Sequence, residues 1–171
     1  TQRDCLVETA NVVLYGDLDW SLVSEPGGVV DCFRAFLGQA NMGDYIGLLA
    51  YLPYEEDYGQ SFAQLRRILS AGGGWLTTLG YGPRFLHSTG QLHKGGTNNG
   101  VFIQVTIEDG VELFIPGTNY HFGVLKGAQA AGDMQALEKH DRRVIRCHLK
   151  TSVEKGLAEV NHAFEQLFKE S

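Results

Sequence analysis

Segment 45–52 constrains the fold more than any other, because it is apolar on both faces of a strand. Its sequence is Tyr-Ile-Gly-Leu-Leu-Ala-Tyr-Leu, with no charged residue. A strand that is exposed on one face alternates apolar and polar residues, whereas an unbroken apolar run is typical of a strand covered on both faces, as in a parallel sheet. We therefore predict that helices pack on both sides of the sheet that contains this segment.

Strand-like and helix-like segments alternate along the rest of the chain. The segments rich in β-branched and aromatic residues, which we predict to be strands, are 11–15, 75–81, 101–107 and 144–149. The segments with apolar residues at helical spacing are 29–40, 61–71, 122–131 and 151–168. This alternation predicts a single α/β domain, a three-layer αβα sandwich doubly wound around a mostly parallel sheet. The segments expected to be parallel neighbours in that sheet are 45–52, 75–80, 101–106 and 144–149.

Helix boundaries are predicted from capping signals. Ser61, with a glutamine three residues later, and Thr151, with Glu154, each match a capping box and are expected to open a helix. Gly132 is expected to end the helix that starts at residue 122, and Asp133 to cap a further turn or two. Because Glu154 is explained by capping, we do not assign it a catalytic role.

Charge and hydropathy exclude two classes of partner. The formal net charge is −6, so the chain offers no basic face for a nucleic-acid backbone. The longest apolar run, 45–53, is too short to span a bilayer. We expect neither a nucleic acid nor a membrane as partner.

The cysteines indicate a cellular compartment. Cys5, Cys32 and Cys147 are odd in number, far apart in sequence and form no Cys-x-x-Cys pair. Such usage is typical of a reducing cytoplasm. Cys32 and Cys147 lie in apolar segments and are expected to be buried fillers of the core.

Segment 82–100 is the most polar connection in the chain and the candidate ligand site. It is 19 residues long and joins two predicted strands. Connections of this length in a compact domain are functional or disordered, and the apolar residues Phe85, Leu86 and Leu92 favour an ordered loop. The chemistry-bearing residues of this segment are Arg84, His87, Ser88, Thr89, Gln91, His93, Lys94, Gly95 and Gly96.

The same segment carries a family resemblance. The run 81–96, Tyr-Gly-Pro-Arg-Phe-Leu-His-Ser-Thr-Gly-Gln-Leu-His-Lys-Gly-Gly, resembles the late segment of the glucose-6-phosphate isomerase half of bacterial transaldolase/glucose-6-phosphate isomerase fusion proteins. Blocks that continue the likeness are 115–117, 122–125, 128–133 and 142–149. The resemblance implies a sugar-isomerase-type (SIS) domain at 43–171, whereas the N-terminal lead-in of loop and helix, 1–42, resembles the family only loosely.

The resemblance implies a reaction, the interconversion of glucose 6-phosphate and fructose 6-phosphate through an enediol, without cofactor. In that family the phosphate loop lies in a first SIS subdomain. We therefore expect this chain to be the C-terminal subdomain, inactive alone and a fragment of a longer polypeptide, since it begins at Thr1. The expected partners are the sugar phosphate substrate, the first SIS subdomain, a transaldolase domain of the parent chain and a second copy in a homo-oligomer, in the cytoplasm.

Site residues are assigned from the side chains of segment 82–100, given the reaction that the resemblance implies. Lys94 is expected to stabilise the enediolate and His93 to open the sugar ring, while the expected substrate-binding residues are Arg84, His87, Ser88, Thr89, Gln91, Gly95 and Gly96. Structural roles stay open beside these. Lys94 can be a surface cation that contributes little to stability, and His93 can be a solvated loop residue. His87 can form hydrogen bonds that fix the loop, and Arg84 can donate a hydrogen bond to a loop carbonyl. Two histidines six residues apart match no metal site, so no metal is expected.

One departure from the family favours a second hypothesis. The non-fused isomerases of the family carry a lysine on the last helix, and the position that matches it here is Leu157, while Lys155 lies on another helical face. The alternative function is a non-catalytic sugar-phosphate-binding or assembly module with the same SIS-type fold.

Overall fold

The computed structural model of the chain describes residues 5–23, 27–52, 58–108, 110 and 113–170. Within these residues the strands are β1 (Cys5–Glu8), β2 (Val12–Gly16), β3 (Tyr45–Tyr51), β4 (Leu76–Tyr81), β5 (Gly100–Ile107) and β6 (Arg143–Leu149). The α-helices are α1 (Val29–Gly38), α2 (Tyr58–Gly73), α3 (Thr89–Gly95), α4 (Phe122–Lys139) and α5 (Val153–Lys169), and single 3-10 turns lie at Trp20–Leu22 and Arg84–His87.

The strands form one mixed sheet in the order β1-β2-β6-β5-β3-β4. β6, β5, β3 and β4 are parallel neighbours, as segment 45–52 and its counterparts predict. β1 and β2 add an antiparallel hairpin beside β6, which sequence analysis did not predict. Its turn contains no glycine, and the Thr9 hydroxyl stabilises the turn by accepting a hydrogen bond from Val12 N at 3.0 Å.

Helices cover both faces of the sheet, so the three-layer αβα sandwich is confirmed. α1, α2 and α5 pack on one face, and the 84–87 turn, α3 and α4 on the other. The chain leaves β3 toward α2 on the first face, but leaves the adjacent β5 toward α4 on the second face. The gap between the carboxyl ends of β3 and β5 is therefore the topological switch point of a doubly wound sheet.

The larger hydrophobic core lies under α1, α2 and α5. The rings of Phe33 on α1 and Phe164 on α5 stack with centroids 4.1 Å apart. Leu157 of α5 is fully buried in this core, and the apolar face predicted for the last helix is confirmed. Cys32 and Cys147 are buried here with free thiols, also as predicted.

Three predicted helix boundaries are wrong. α2 begins at Tyr58, whose side chain is buried, and so includes Ser61 in its first turns. α4 continues through Gly132 to Lys139, because packing of later residues outweighs the roughly 1 kcal/mol cost of a helical glycine. Asp133 is consequently a buried helical residue and not a cap.

The start of α5 also differs from the prediction. Ser152 is the N-cap, and its hydroxyl accepts a hydrogen bond from Lys155 N at 3.2 Å. Thr151, the predicted cap, instead donates to Asn11 Oδ1 at 3.1 Å. Among the described residues, no helix is both long enough and apolar enough to cross a bilayer.

Candidate active-site cleft

A cleft of about 780 Å³ opens at the carboxyl edge of the parallel strands. Residues that follow each of these strands line it, namely Leu52 after β3, Gly82 after β4, Glu108 after β5 and Thr151 after β6. It therefore spans the switch point, which is where open α/β sheets bind their ligands. We call it the switch-point cleft.

The walls of the switch-point cleft combine polar and apolar groups. Its polar lining includes Tyr58, Glu108, Lys126, Gln129, Ser152 and Glu154. Its apolar lining includes Ile107, Leu113, Phe122, Leu125 and Val153. A few convergent polar groups on an apolar wall are typical of sites for small organic ligands.

Helix N-termini add to the electrostatics of the cleft. α2, α4 and α5 all begin at its lining, through Tyr58, Phe122 and Val153. The unsatisfied N–H groups of a helix start carry partial positive charge and favour anions. The capping groups differ, since Ser152 caps α5 and His121 Nδ1 accepts a hydrogen bond from Val124 N at 3.4 Å at the start of α4.

The first turns of α4 stand away from the sheet. Phe122, Val124 and Leu125 are 51%, 50% and 37% exposed, while residues from Ala130 onward pack on the sheet. Leu113 and Phe114, just before the helix, are also exposed. These five residues form an apolar rim beside the switch-point cleft.

A second pocket of about 480 Å³ lies on the other side of α4, against β5 and β6. We call it the α4–β6 pocket. It shares Ile107, Glu108 and Gly123 with the switch-point cleft, and its further polar lining includes Thr106, His121, Arg146 and His148.

The two predicted catalytic residues, His93 and Lys94, lie on α3 and line neither the switch-point cleft nor the α4–β6 pocket. The ammonium of Lys94 lies 2.7 Å from Asp133 Oδ1 on α4, in a contact where the side chain of Asp133 is 1% exposed. His93 is 7% exposed and packs among the rings of Tyr45, Phe85 and Phe102. Burial lowers the pKa of His93, while the Asp133 carboxylate partly opposes that shift.

Asp133 also lies beside the phenol of Tyr51, the last residue of β3. Tyr51 is 1% exposed, and burial together with the neighbouring Asp133 carboxylate raises the pKa of its phenol. The second face of the sheet therefore carries a cluster of polar side chains, in which Tyr51, His93 and Asp133 are buried and Lys94 is partly exposed. Sequence analysis did not find Asp133 or Tyr51 as members, because both lie far from segment 82–100 in sequence.

The other predicted site residues lie on the outside of the same segment. Arg84, Ser88 and Thr89 are exposed and line a shallow groove of about 330 Å³ beside β4. His87 is exposed, and the exposed Gln91 donates from its side-chain amide to Leu86 O at 3.1 Å. These residues do not share one cavity with His93 and Lys94.

The two glycines after Lys94 end α3. A Cβ at Gly96 would lie 2.6 Å from Leu92 O, whereas a Cβ at Gly95 would meet nothing within 4 Å. The helix end is fixed by Arg142, whose guanidinium donates to Lys94 O at 2.8 Å and to Gly96 O at 2.6 Å. The predicted loop is thus a short helix with its carbonyl end held by an arginine.

Glu108 and Glu154 are the site residues that sequence analysis missed. Glu154 is exposed and lines the switch-point cleft, whereas its spacing from Thr151 in sequence predicts only a capping role. Glu108 follows β5 directly, and the signal that could have found it is its position at the carboxyl end of a parallel strand.

No protein-family model matches the chain, and neither does any curated protein. Among solved structures, the fold is similar to the crystal structure of hypothetical protein TT0462 from Thermus thermophilus, with a TM-score of 0.67 and 17% sequence identity. The similarity covers 82% of this chain and 39% of that protein, so this chain spans well under half of its length. At this identity the comparison establishes the fold alone.

Proposed function

We propose that this chain is the second SIS-type subdomain of a glucose-6-phosphate isomerase that interconverts glucose 6-phosphate and fructose 6-phosphate through an enediol. One observation carries the proposal. The segment whose sequence resembles the isomerases leaves β4 at the switch-point cleft, and its residues Gly82 and Pro83 line that cleft. The resembling sequence and the cavity that the fold provides for a ligand therefore meet.

The chemistry of the switch-point cleft suits a sugar phosphate. The carboxylates of Glu108 and Glu154 and the side-chain amide of Gln129 are acceptors and donors for several sugar hydroxyls. Leu52 and Phe122 supply apolar surface for the C–H face of the sugar. The helix N-termini favour the negative charge that develops on an enediolate oxygen.

Lys94 and His93 remain predicted catalytic residues of this proposal. Their contacts support a second role, in which the Lys94–Asp133 ion pair holds α3 against α4 and so fixes one wall of the cleft. Such a residue acts on the reaction by positioning other groups.

A further subdomain is part of the proposal, because in the isomerases that the chain resembles the phosphate loop lies outside this region. The apolar rim of Leu113, Phe114, Phe122, Val124 and Leu125 supports its docking beside the cleft. A second copy of the chain and a transaldolase domain are further proposed partners. The free thiols of all the cysteines favour a cytoplasmic location.

The alternative is a non-catalytic module that binds sugar phosphates. It is favoured by Leu157, which is fully buried at the position where the non-fused isomerases carry a lysine. This chain therefore has no cationic side chain at the position that the lysine occupies in those isomerases.

An isomerisation assay separates the two functions. The longer polypeptide that the resemblance implies is expected to convert fructose 6-phosphate to glucose 6-phosphate, and the 171-residue chain alone is expected to be inactive. In the longer polypeptide, Glu154→Gln should lower kcat/KM by about tenfold, since a lost charge-assisted hydrogen bond costs about 1.4 kcal/mol or more. Lys155→Ala, one residue on, is the matched control and should keep normal kcat/KM. A polypeptide that binds fructose 6-phosphate without converting it would support the alternative.

A further inference from the structure

The α4–β6 pocket contains polar groups that the proposed isomerase chemistry does not use. Thr106, Arg146 and His148 project from β5 and β6, and His121 lies at the start of α4. Its volume of about 480 Å³ is within the range of sites for small metabolites. Glu108 is the acidic residue of its lining.

Arg146 is held in place by two successive hydrogen bonds. Its Nε donates to Gln104 Oε1 at 2.7 Å, and Gln104 Nε2 donates to Ala130 O of α4 at 3.0 Å. Gln104 is fully buried in the middle of β5. A guanidinium fixed in this way loses little freedom on binding, and its planar N–H groups match the oxygens of a phosphate.

The two histidines add hydrogen-bonding groups. His148 Nδ1 lies 3.0 Å from Thr106 Oγ1, so the position of its ring is fixed by β5. His121 Nδ1 accepts from Val124 N, so the neutral ring of His121 carries its proton on Nε2. Burial lowers the pKa of His148, the Glu108 carboxylate opposes this shift, and the Arg146 guanidinium adds to it.

The face of α4 toward this pocket carries small residues, which leave room for a ligand. Gly123, Gly127 and Ala130 line the pocket at helical spacing. A Cβ added at Gly127 would meet nothing within 4 Å. A larger side chain at Gly127 can therefore enter open space without displacing the backbone.

We propose that the α4–β6 pocket binds the phosphate group of a phosphorylated metabolite, with Arg146 as its anchor and the imidazoles of His148 and His121 as further donors. Glu108 is exposed at the junction with the switch-point cleft. The Glu108 carboxylate repels the phosphate but accepts hydrogen bonds from hydroxyl groups. The uncharged part of the ligand therefore lies toward Glu108. Binding in this pocket does not depend on the proposed isomerase activity, because it requires only that the ligand carry a phosphate group.

The test is a titration of the 171-residue chain with sulfate, monitored by NMR, with chloride keeping the ionic strength constant. The pKa of His148 is measured with and without sulfate. Sulfate keeps its two charges when histidine titrates, so a change in the pKa of His148 reports the protein alone. We expect saturable binding and a rise in the pKa of His148 of about half a unit or more, since a nearby opposite charge favours the imidazolium. Glycerol 1-phosphate at about pH 7.5, where it carries close to two charges, should shift the same amide signals as sulfate, and glycerol should shift none.

Two variants locate the site, and a third controls for net charge. Arg146→Gln should weaken sulfate binding by about tenfold, the equivalent of about 1.4 kcal/mol. Gly127→Phe should block the pocket while leaving Arg146 and its hydrogen bonds intact. Lys139→Gln removes an exposed positive charge at the far end of α4 and should leave binding unchanged.

Each outcome decides the proposal. Loss of binding in Gly127→Phe with a normal melting temperature supports it even where Arg146→Gln folds poorly. Sulfate that leaves the pKa of His148 unchanged, Gly127→Phe that binds normally, or equal weakening by Arg146→Gln and Lys139→Gln would each overturn it.

Discussion

Lys94 Nζ lies 2.7 Å from Asp133 Oδ1, and the pair joins α3 to the middle of α4. The carboxylate is 1% exposed, whereas the lysine is 18% exposed and reaches it from the surface. Together with Arg142, which donates to the carbonyls at the end of α3, this pair fixes the segment that sequence analysis interpreted as a polar loop.

Lys94→Ala should lower the free energy of unfolding by about 3 kcal/mol, because it leaves a buried carboxylate without its counter-charge. Urea unfolding of the variant measures this loss. The prediction replaces the expectation that a loop lysine contributes little to stability. The double variant Lys94→Met, Asp133→Leu removes both charges and should recover most of the loss. A Lys94→Ala variant as stable as the wild type would show that the pair contributes nothing.

His93 should make stability fall as the pH drops below the ordinary histidine pKa of 6.5. Burial lowers its pKa below the ordinary value of 6.5, so the unfolded chain takes up the proton before the folded chain as pH falls. The contribution of the neutral His93 ring to stability is therefore present above the unfolded-state pKa of about 6.5 and is lost as the pH falls from there through the lower pKa of the folded state. Burial of His148 acts in the same direction. Melting temperatures of wild type and His93→Phe, measured from pH 5 to 8, should show a shallower slope in the variant. Parallel profiles would contradict this origin.

Leu157→Lys tests the position that matches the lysine of the non-fused isomerases. Because Leu157 is fully buried in the core under α5, a lysine there should destabilise the chain by about 3 kcal/mol or more. Lys155→Ala, on the exposed face of the same helix, should stay within about 0.5 kcal/mol of the wild type. A Leu157→Lys variant with wild-type stability and a free ammonium would mean that α5 is rotated from the packing described above.

Ser152→Ala should cost about 1 kcal/mol, because it removes the side chain that accepts the hydrogen bond from Lys155 N. Thr151→Ala, which removes an exposed hydrogen bond to Asn11, should cost less than half of that. Chemical denaturation of the two variants ranks the two hydroxyls directly. A larger loss for Thr151→Ala would restore Thr151 as the cap.

The parallel part of the sheet, β3 to β6, could be predicted from sequence because its signals are local, whereas the antiparallel β1–β2 hairpin could not. An apolar run such as 45–52 indicates by itself that both faces of its strand are covered. The apolar stripe of α5 indicates which side of that helix packs inward. The predicted start of α5 was wrong because two neighbouring residues both carry a capping signal. Ser152 and Thr151 are adjacent hydroxyl residues, and in the structure Ser152 accepts from Lys155 N while Thr151 donates to Asn11 Oδ1.

The candidate site was predictable in part only, for a different reason. The polarity of segment 82–100 identified a functional-looking stretch, but its partners are contributed by distant parts of the chain. Asp133 pairs with Lys94 because α4 crosses the same face of the sheet as α3. Likewise, Glu108 and Glu154 come together at the switch-point cleft because β5 and α5 both meet the carboxyl edge. Such juxtapositions depend on topology, which no single segment specifies.

The most direct test is an NMR map of fructose 6-phosphate binding to the 171-residue chain. We predict weak, saturable binding, with a Kd of about 1 mM or weaker, because in the isomerases that the chain resembles the phosphate loop lies in another subdomain. The amides that shift should include those of Gly82, Gln129, Ser152 and Glu154, which line this cleft and not the α4–β6 pocket, and Glu154→Gln should weaken binding whereas Lys155→Ala should not. Shifts confined to the exposed residues of segment 84–91, or an absence of saturable shifts at the switch-point cleft, would contradict the proposal that this cleft holds the sugar phosphate.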